Sequence, residues 1–226
     1  MKTLRNILLL LAFVLTFSGC LEDEDEHYAL DKFWIAMGTI EEEENSFIVA
    51  TDGGDRLYPS VNDASWFETF DGQRVWVNYT ILGTSRGNQS FDYFVRINHL
   101  KEILTKGILE LTPENRDSIG NDPLVIKHYW LTNNFLNIEF LFKGGGTIHY
   151  INLVKDIEEP ETEDGLPILE VKHNANNDPY IYLLKGLVSF DISEMEVEEQ
   201  PSVEFLLRAT GESGEYEFEE VITYEY

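Results

Sequence analysis

Along most of the chain, apolar and polar residues alternate in short runs that read as strands. FWIAMGTI (33–40) and SFIVATD (46–52) flank the polar stretch EEEEN and predict a hairpin. WFETF (66–70) and RVWVNYTIL (74–82) flank Asp71-Gly72 and predict a second, since Asp-Gly favours the positive φ of a tight turn. FDYFVRI (91–97) predicts a further strand. HLKEILTK then sets Leu100, Ile103 and Leu104 on one face at helical spacing, with Asn98 as cap and Gly107 as stop. Short strands and one helix suit a small, partly open barrel of the OB type.

TPENRDSIGNDP (112–123) brings Pro, Gly, Asn and Asp together and marks a boundary. Beyond it every periodic segment alternates like a strand. VIKHYWLT (125–132) and FLNIEFLF (135–142) form a hairpin about Asn133-Asn134. TIHYINLV (147–154) follows a Gly144-Gly145-Gly146 turn, and PILEVKH (167–173), YIYLL (180–184), GLVSFDI (186–192), SVEFLLRATG (202–211) and YEFEEVITYEY (216–226) complete the set. Regular short strands with turn signals predict an antiparallel β-sandwich. The fold expected is mainly β: an OB-like barrel with one short helix over 30–111, a linker over 112–122, and a β-sandwich over 123–226. The halves show no internal repeat.

The N-terminus departs from this pattern. Lys2 and Arg5 precede ILLLLAFVLTF (7–17), an apolar run too short to span a bilayer, which needs about 20 residues. Residues 1–19 therefore read as a secretory signal peptide. The run ends at Ser18 and Gly19, directly before Cys20, the single cysteine of the chain. This resembles the lipobox of bacterial lipoproteins, which implies a diacylglyceryl group on the Cys20 thiol and cleavage before it. Two acyl chains hold a protein firmly on a membrane where one does not. Residues 20–29 then read as a solvated tether, because Glu22, Asp23, Glu24, Asp25 and Glu26 repel one another. Surface lipoproteins of Bacteroidetes carry a similar acidic cluster behind the lipidated cysteine, where it directs export. That resemblance implies an outer-membrane lipoprotein displayed on the cell surface. If the run is a spacer alone, the protein stays on the inner leaflet.

Charge narrows the function. Without residues 1–19 the chain has 14 basic against 42 acidic residues, a net charge of −28. Nucleic-acid affinity comes largely from Lys and Arg at phosphates, so that partner class is excluded. No EF-hand spacing occurs, and Glu41–Glu44 reads as a solvated turn rather than a metal site. With Cys20 carrying lipid, no disulfide, zinc–thiolate site or cysteine nucleophile remains.

DYFVRINHLKEILTKGI in the first half, and DPLVIKHYWLTNNFLNIEFLF, HYINLV and KGLVSFDI in the second, resemble the NigD-like lipoproteins of Bacteroidetes. That family pairs an N-terminal OB-type domain with a C-terminal β-sandwich behind a lipobox, and the resemblance covers essentially the whole mature chain. The shared stretches are strands, turns and a helix, so the resemblance implies architecture and location and transfers no functional residue.

Catalytic signatures are not expected. A hydrolase elbow would join a strand to a helix through G-x-S-x-G. No P-loop, G-x-G-x-x-G or H-E-x-x-H occurs, and His27, His99, His128, His149 and His173 show no metal-ligand spacing. No cofactor or metal is expected, and His128 and His149 read as structural. Trp34, Trp66, Trp76 and Trp130 offer another route, since OB barrels bind oligosaccharides on one face. Trp76 alternates with Val75 and Val77 and so shares a face with Arg74 and Asn78. Trp66 follows the polar Asn62-Asp63 loop. Both are candidate ligand-binding residues; the competing reading packs them against the other domain or under a loop. The function expected is a non-enzymatic binding module for a glycan or a protein. The alternative, implied by the bacteriocin-linked locus that names the family, is an envelope protective or immunity-type factor facing the periplasm. A third is an enzyme whose triad assembles only in space.

Overall fold

The computed structural model describes residues 32–44, 46–87 and 90–226. The signal segment, Cys20 and the acidic run Glu22–Glu26 lie outside the described residues. Five strands form a closed barrel: β1 (Trp34–Glu43), β2 (Ser46–Thr51), β3 (Arg56–Asn62), β4 (Arg74–Thr84) and β5 (Tyr93–Glu102), in the order β1-β2-β3-β5-β4. Closure comes from the parallel pairing of β3 with β5; the other pairs are antiparallel. Ile40, Val49, Leu57, Val75, Val77, Val95, Ile97 and Leu100 fill the interior and are fully buried. β-branched and aliphatic side chains at alternate positions explain this, because every second residue of a barrel strand points inward.

Three expectations for this half are corrected. The helix expected over 98–107 is absent: β5 runs through Glu102 and bulges at Asn98, opposite Asn78 and Tyr79 of its partner β4. The register passes from Tyr79↔Ile97 to Asn78↔His99, so Asn98 is the extra residue. A bulge shifts the inward parity by one. Ile97 and Leu100 therefore both point inward, three residues apart, which imitates helical spacing. WFETF is a loop rather than a strand; Phe67 packs on the barrel core while Trp66 and Phe70 are exposed. Gly72 does turn the chain at φ 77°. Finally, the Glu41–Glu44 stretch is strand through Glu43, and Glu41 holds the Arg56 guanidinium with both oxygens at 2.9 and 2.5 Å.

The second half is a sandwich of two sheets. Its remaining elements are β6 (Thr105–Lys106), β7 (Ile108–Leu111), β8 (Val125–Thr132), β9 (Phe135–Gly144), β10 (Tyr150–Asp156), β11 (Ile168–Asn174), β12 (Tyr182–Asp191), β13 (Ser202–Thr210) and β14 (Tyr216–Glu225). One short helix, α1 (Arg116–Ile119), lies between β7 and β8. One sheet has the order β14-β13-β11-β10-β7, the other β6-β12-β9-β8. The antiparallel sandwich holds for most pairings, but β7·β10, β11·β13 and β6·β12 are parallel. Leu136, Ile138, Val188, Phe190, Leu153, Leu169, Phe205 and Leu207 meet between the sheets. The domain limit also moves. β6 and β7 precede the expected 112–122 linker, yet each pairs with a sandwich strand, so that stretch lies inside the second domain.

Arg74 joins the halves. Its side chain is 1% exposed. Its guanidinium binds Asp52 through both nitrogens, at 2.5 and 2.7 Å, and Thr39 at 3.2 Å within the barrel. Nη2 also donates to Asn137 Oδ1 of β9 at 3.0 Å, and the group lies 4.9 Å over the Phe135 ring. Ser189 Oγ donates to the same Asn137 oxygen at 2.6 Å. The main chain follows suit: Ile103 N–H donates to Arg74 O, and Ser189 N–H to Leu104 O, both at 2.9 Å. Arg74→Met strands a nearly buried Asp52 carboxylate and is expected to cost about 3 kcal/mol in urea unfolding. Arg74→Lys should recover only part of this, because an ammonium cannot make the bidentate pair.

Candidate functional site

A cleft of about 520 Å³ opens where the barrel meets the sandwich. Trp76 of β4 and Trp130 of β8 line it, with Lys101 and Glu102 at the end of β5 and Glu139 and Lys185 from β9 and β12. Strand geometry sets these positions. Trp76 is two residues beyond Arg74 and pairs with Lys101 across the β4–β5 ladder. Trp130 pairs with Asn137, whose amide also donates to the Trp130 carbonyl at 3.3 Å. The buried Arg74–Asn137 link thus sits beneath both tryptophans. Gly186 contributes to the lining for a steric reason: a Cβ there would meet the Phe140 ring at 2.3 Å.

Lys185 and Glu139 pair with each other at 2.6 Å. Lys101 and Glu102 make no ion pair among the described residues. None of the tryptophans belongs to a buried core cluster. Trp76 is 37% exposed and Trp66 is 65% exposed. Trp66 is not in the cleft; its ring lies 5.5 Å from that of His99, on the outside of β5. Sequence reasoning had Trp76 in hand and missed Lys101 and Glu102, because it assigned both to a helix. A second hollow of about 570 Å³ adjoins, with Phe70, Gln73, Arg74, Glu102 and Leu104 in its lining.

A different cluster gathers His149, His173 and Asp178 from three segments. His149 Nδ1 is 2.8 Å from His173 Nε2, and His149 Nε2 is 3.0 Å from Asp178 Oδ2. Asp178 also accepts from the backbone N–H groups of Gly145, Gly146 and Thr147. The triple glycine therefore forms a cradle of backbone donors, filled by a carboxylate of the same chain. Burial alone would raise the Asp178 carboxyl, but donors from Gly145, Thr147 and His149 outweigh it and hold the group well below its ordinary 3.8. Burial, and then the neighbouring His149, lower His173. His173 Nδ1 is 3.3 Å from the Pro123 carbonyl. The side chains of His149 and Asp178 are 8% and 2% exposed, and their polar atoms are engaged with one another. This geometry ties loops together. Among the described residues, no group of three His, Cys, Asp or Glu side chains is placed to hold a metal.

The chain does contain a G-x-S-x-G string, Gly83–Gly87, but not at an elbow. It lies at the end of β4, where Ser85 N–H donates to Asp92 O at 2.7 Å, and the next regular element is β5. The strand-to-helix turn that would expose a nucleophile is missing.

Residues 37–103 match the NigD-like N-terminal OB domain, and residues 107–222 match the NigD-like C-terminal beta sandwich domain. The chain belongs to the NigD-like family. The boundary between the two matched domains falls at the β5–β7 junction described above. Among solved structures, this NigD-like chain is similar to a toxin-related protein from Parabacteroides distasonis, with 28% identity, 86% of this chain and 93% of the other covered, and a TM-score of 0.70. A NigD-like immunity protein from Bacteroides caccae shares the fold at 22% identity, 86% and 96% coverage, and a TM-score of 0.61. So does a protein from Bacteroides fragilis described as a lipoprotein, at 11% identity, 86% and 98% coverage, and a TM-score of 0.58. No curated protein matches the chain.

The acid limb of stability follows from Asp178. Its folded pKa is depressed, so the unfolded chain takes up the proton first. Its contribution is therefore full above the unfolded value and is lost as pH falls through it towards the folded one. Asp156, Glu170 and Asp191 are also lowered and act in the same direction. The melting temperature should fall between about pH 5 and about pH 3. Asp178→Asn should start lower at neutral pH and fall less steeply over that interval.

Proposed function

We propose that this NigD-like chain is a lipid-anchored, non-enzymatic binding protein of the outer membrane, displayed on the cell surface, with its ligand held between barrel and sandwich. The cleft carries this reading. It brings two tryptophans from different domains together with Lys101 and Glu102, which are exposed and make no ion pair among the described residues. Such a concave site with a few convergent polar groups is the usual form of a binding pocket. The polar cluster that could have suggested catalysis, by contrast, is buried and internally satisfied. Anchoring rests on the lipobox-like Ser18-Gly19-Cys20, and outward display on Glu22–Glu26. No described helix is long and apolar enough to cross a membrane.

The second reading is a periplasm-facing protective factor, favoured by the relative named as an immunity protein. Protease treatment of intact cells separates the two. The displayed chain should be cleaved in wild-type cells and protected when Glu22–Glu26 are neutralised; protection in both places it inside. Binding is read separately, as saturable change in tryptophan emission of the mature chain. The probes are the protein fraction and the protease-treated polysaccharide fraction of the growth medium. At least one fraction should give a signal that Trp76→Ala removes, with no product released; no signal from either fraction overturns the binding reading.

A further inference from the structure

Trp66 and Trp76 lie apart in sequence but on one face of the barrel. Lys101 and His99 are alternate residues of β5, roughly 7 Å apart and pointing the same way. Lys101 pairs with Trp76, and His99 pairs with Asn78, the next outward residue of β4. The His99 ring carries Trp66 at 5.5 Å, so a continuous surface runs from Trp130 and Trp76 past Lys101 and Asn78 to Trp66. Its middle is held in place. Asn98, the extra residue of the bulge, donates from Nδ2 to Asn78 Oδ1 at 2.9 Å and to Thr80 Oγ1 at 3.1 Å. That fixes the Asn78 amide with its own N–H₂ group still available as a donor.

We infer that this surface is a track for a linear oligosaccharide, with the Trp76–Trp130 cleft at one end and Trp66 at the other. Indole faces spaced along one surface and separated by amide, imidazole and ammonium groups suit sugar rings, which present an apolar C–H face and hydroxyl edges. Other polymers fit less well. A peptide strand would need an unpaired sheet edge along the track, and the barrel strands that carry its length are closed; only β8, at the Trp130 end, is a sheet edge. A nucleic acid would meet the mature chain's net charge of −28. Trp66, 65% exposed and set edge-on against Phe67, stands outside the buried core, and the bulge that sets His99 beneath it also holds Asn78.

The inference rests on the binding reading and is tested so that the two can fail separately. The mature lipidated chain, in a detergent without a sugar headgroup, is titrated calorimetrically with linear glucose, mannose and xylose oligomers from disaccharide to octasaccharide. At least one series should bind with affinity that rises with length. Trp76→Ala should abolish binding at every length. Trp66→Ala should weaken the longest oligomers roughly tenfold and leave the shortest unchanged, with Trp66→Phe recovering part of the loss. Unchanged melting temperatures establish that the variants fold. If no series binds while the medium protein fraction still shifts tryptophan emission, the oligosaccharide assignment is overturned and the binding reading stands. If Trp66→Ala weakens all lengths equally, or none, the track is overturned and the site ends at the cleft. If neither oligomers nor fractions bind, both readings go.

Discussion

A buried guanidinium is costly unless its charge and its N–H groups are matched. In this protein Arg74 is matched by one carboxylate from its own barrel and one amide oxygen from the neighbouring sandwich. The two halves therefore share a single polar centre rather than merely touching. Asn137 accepts from Arg74 and Ser189 and donates to the Trp130 carbonyl, so three strands of the two domains converge on one side chain. Because Trp76 is the next residue outward from Arg74 on β4, the same centre sets both tryptophans of the cleft.

The connection between domains adds to this constraint. Ile103 is still hydrogen-bonded to the barrel, Leu104 accepts from β12, and Thr105 and Lys106 already pair with that strand. Gly107 then carries the chain from one sheet of the sandwich to the other, where Ile108–Leu111 pair with β10. No free linker intervenes. A cleft bounded by two domains usually changes width when they move, but here continuous main-chain bonds and the buried Arg74–Asn137 hydrogen bond oppose that motion. Pre-formed walls favour binding because less freedom is lost when the ligand enters.

How much of this was legible follows from what alternation can record. The lipobox-like segment and the strand-rich halves are local patterns, and the sandwich hairpin 125–142 reads correctly because its strands stay in register from His128 to a tight turn at Asn133, whose φ is 50°, with the one shift further out at Ile126/His128. β5 fails because one inserted residue at Asn98 breaks the period of two. β3 escapes notice because Pro59 sits in it, tolerated at a register shift between Pro59 and Val61. The domain limit was drawn at the densest turn signals, whereas pairing puts the limit earlier, before two strands too short to announce themselves. Trp76 could be placed on a polar face from its neighbours alone. Its partners could not, since Trp130, Glu139 and Lys185 reach it through pairings more than fifty residues away, which no local pattern encodes.

The distribution of satisfied and unsatisfied polar groups then separates scaffold from site. Glu170 is 2% exposed and yet ionised in character: burial would raise its carboxyl, but Lys172 and its neighbours outweigh that and lower it. Asp178 is satisfied by three backbone donors and a histidine, and Arg74 by its two domains. Among the described residues these buried charges each meet an opposite charge or a polar partner, although Arg74 Nε itself makes no hydrogen bond. Along the junction the opposite holds: Lys101 and Glu102 are exposed and make no ion pair among the described residues, and the tryptophans beside them stand outside every described core. Exposed indole faces and charges gathered in one hollow add nothing to that interior, and they are the groups that the proposed ligand would meet.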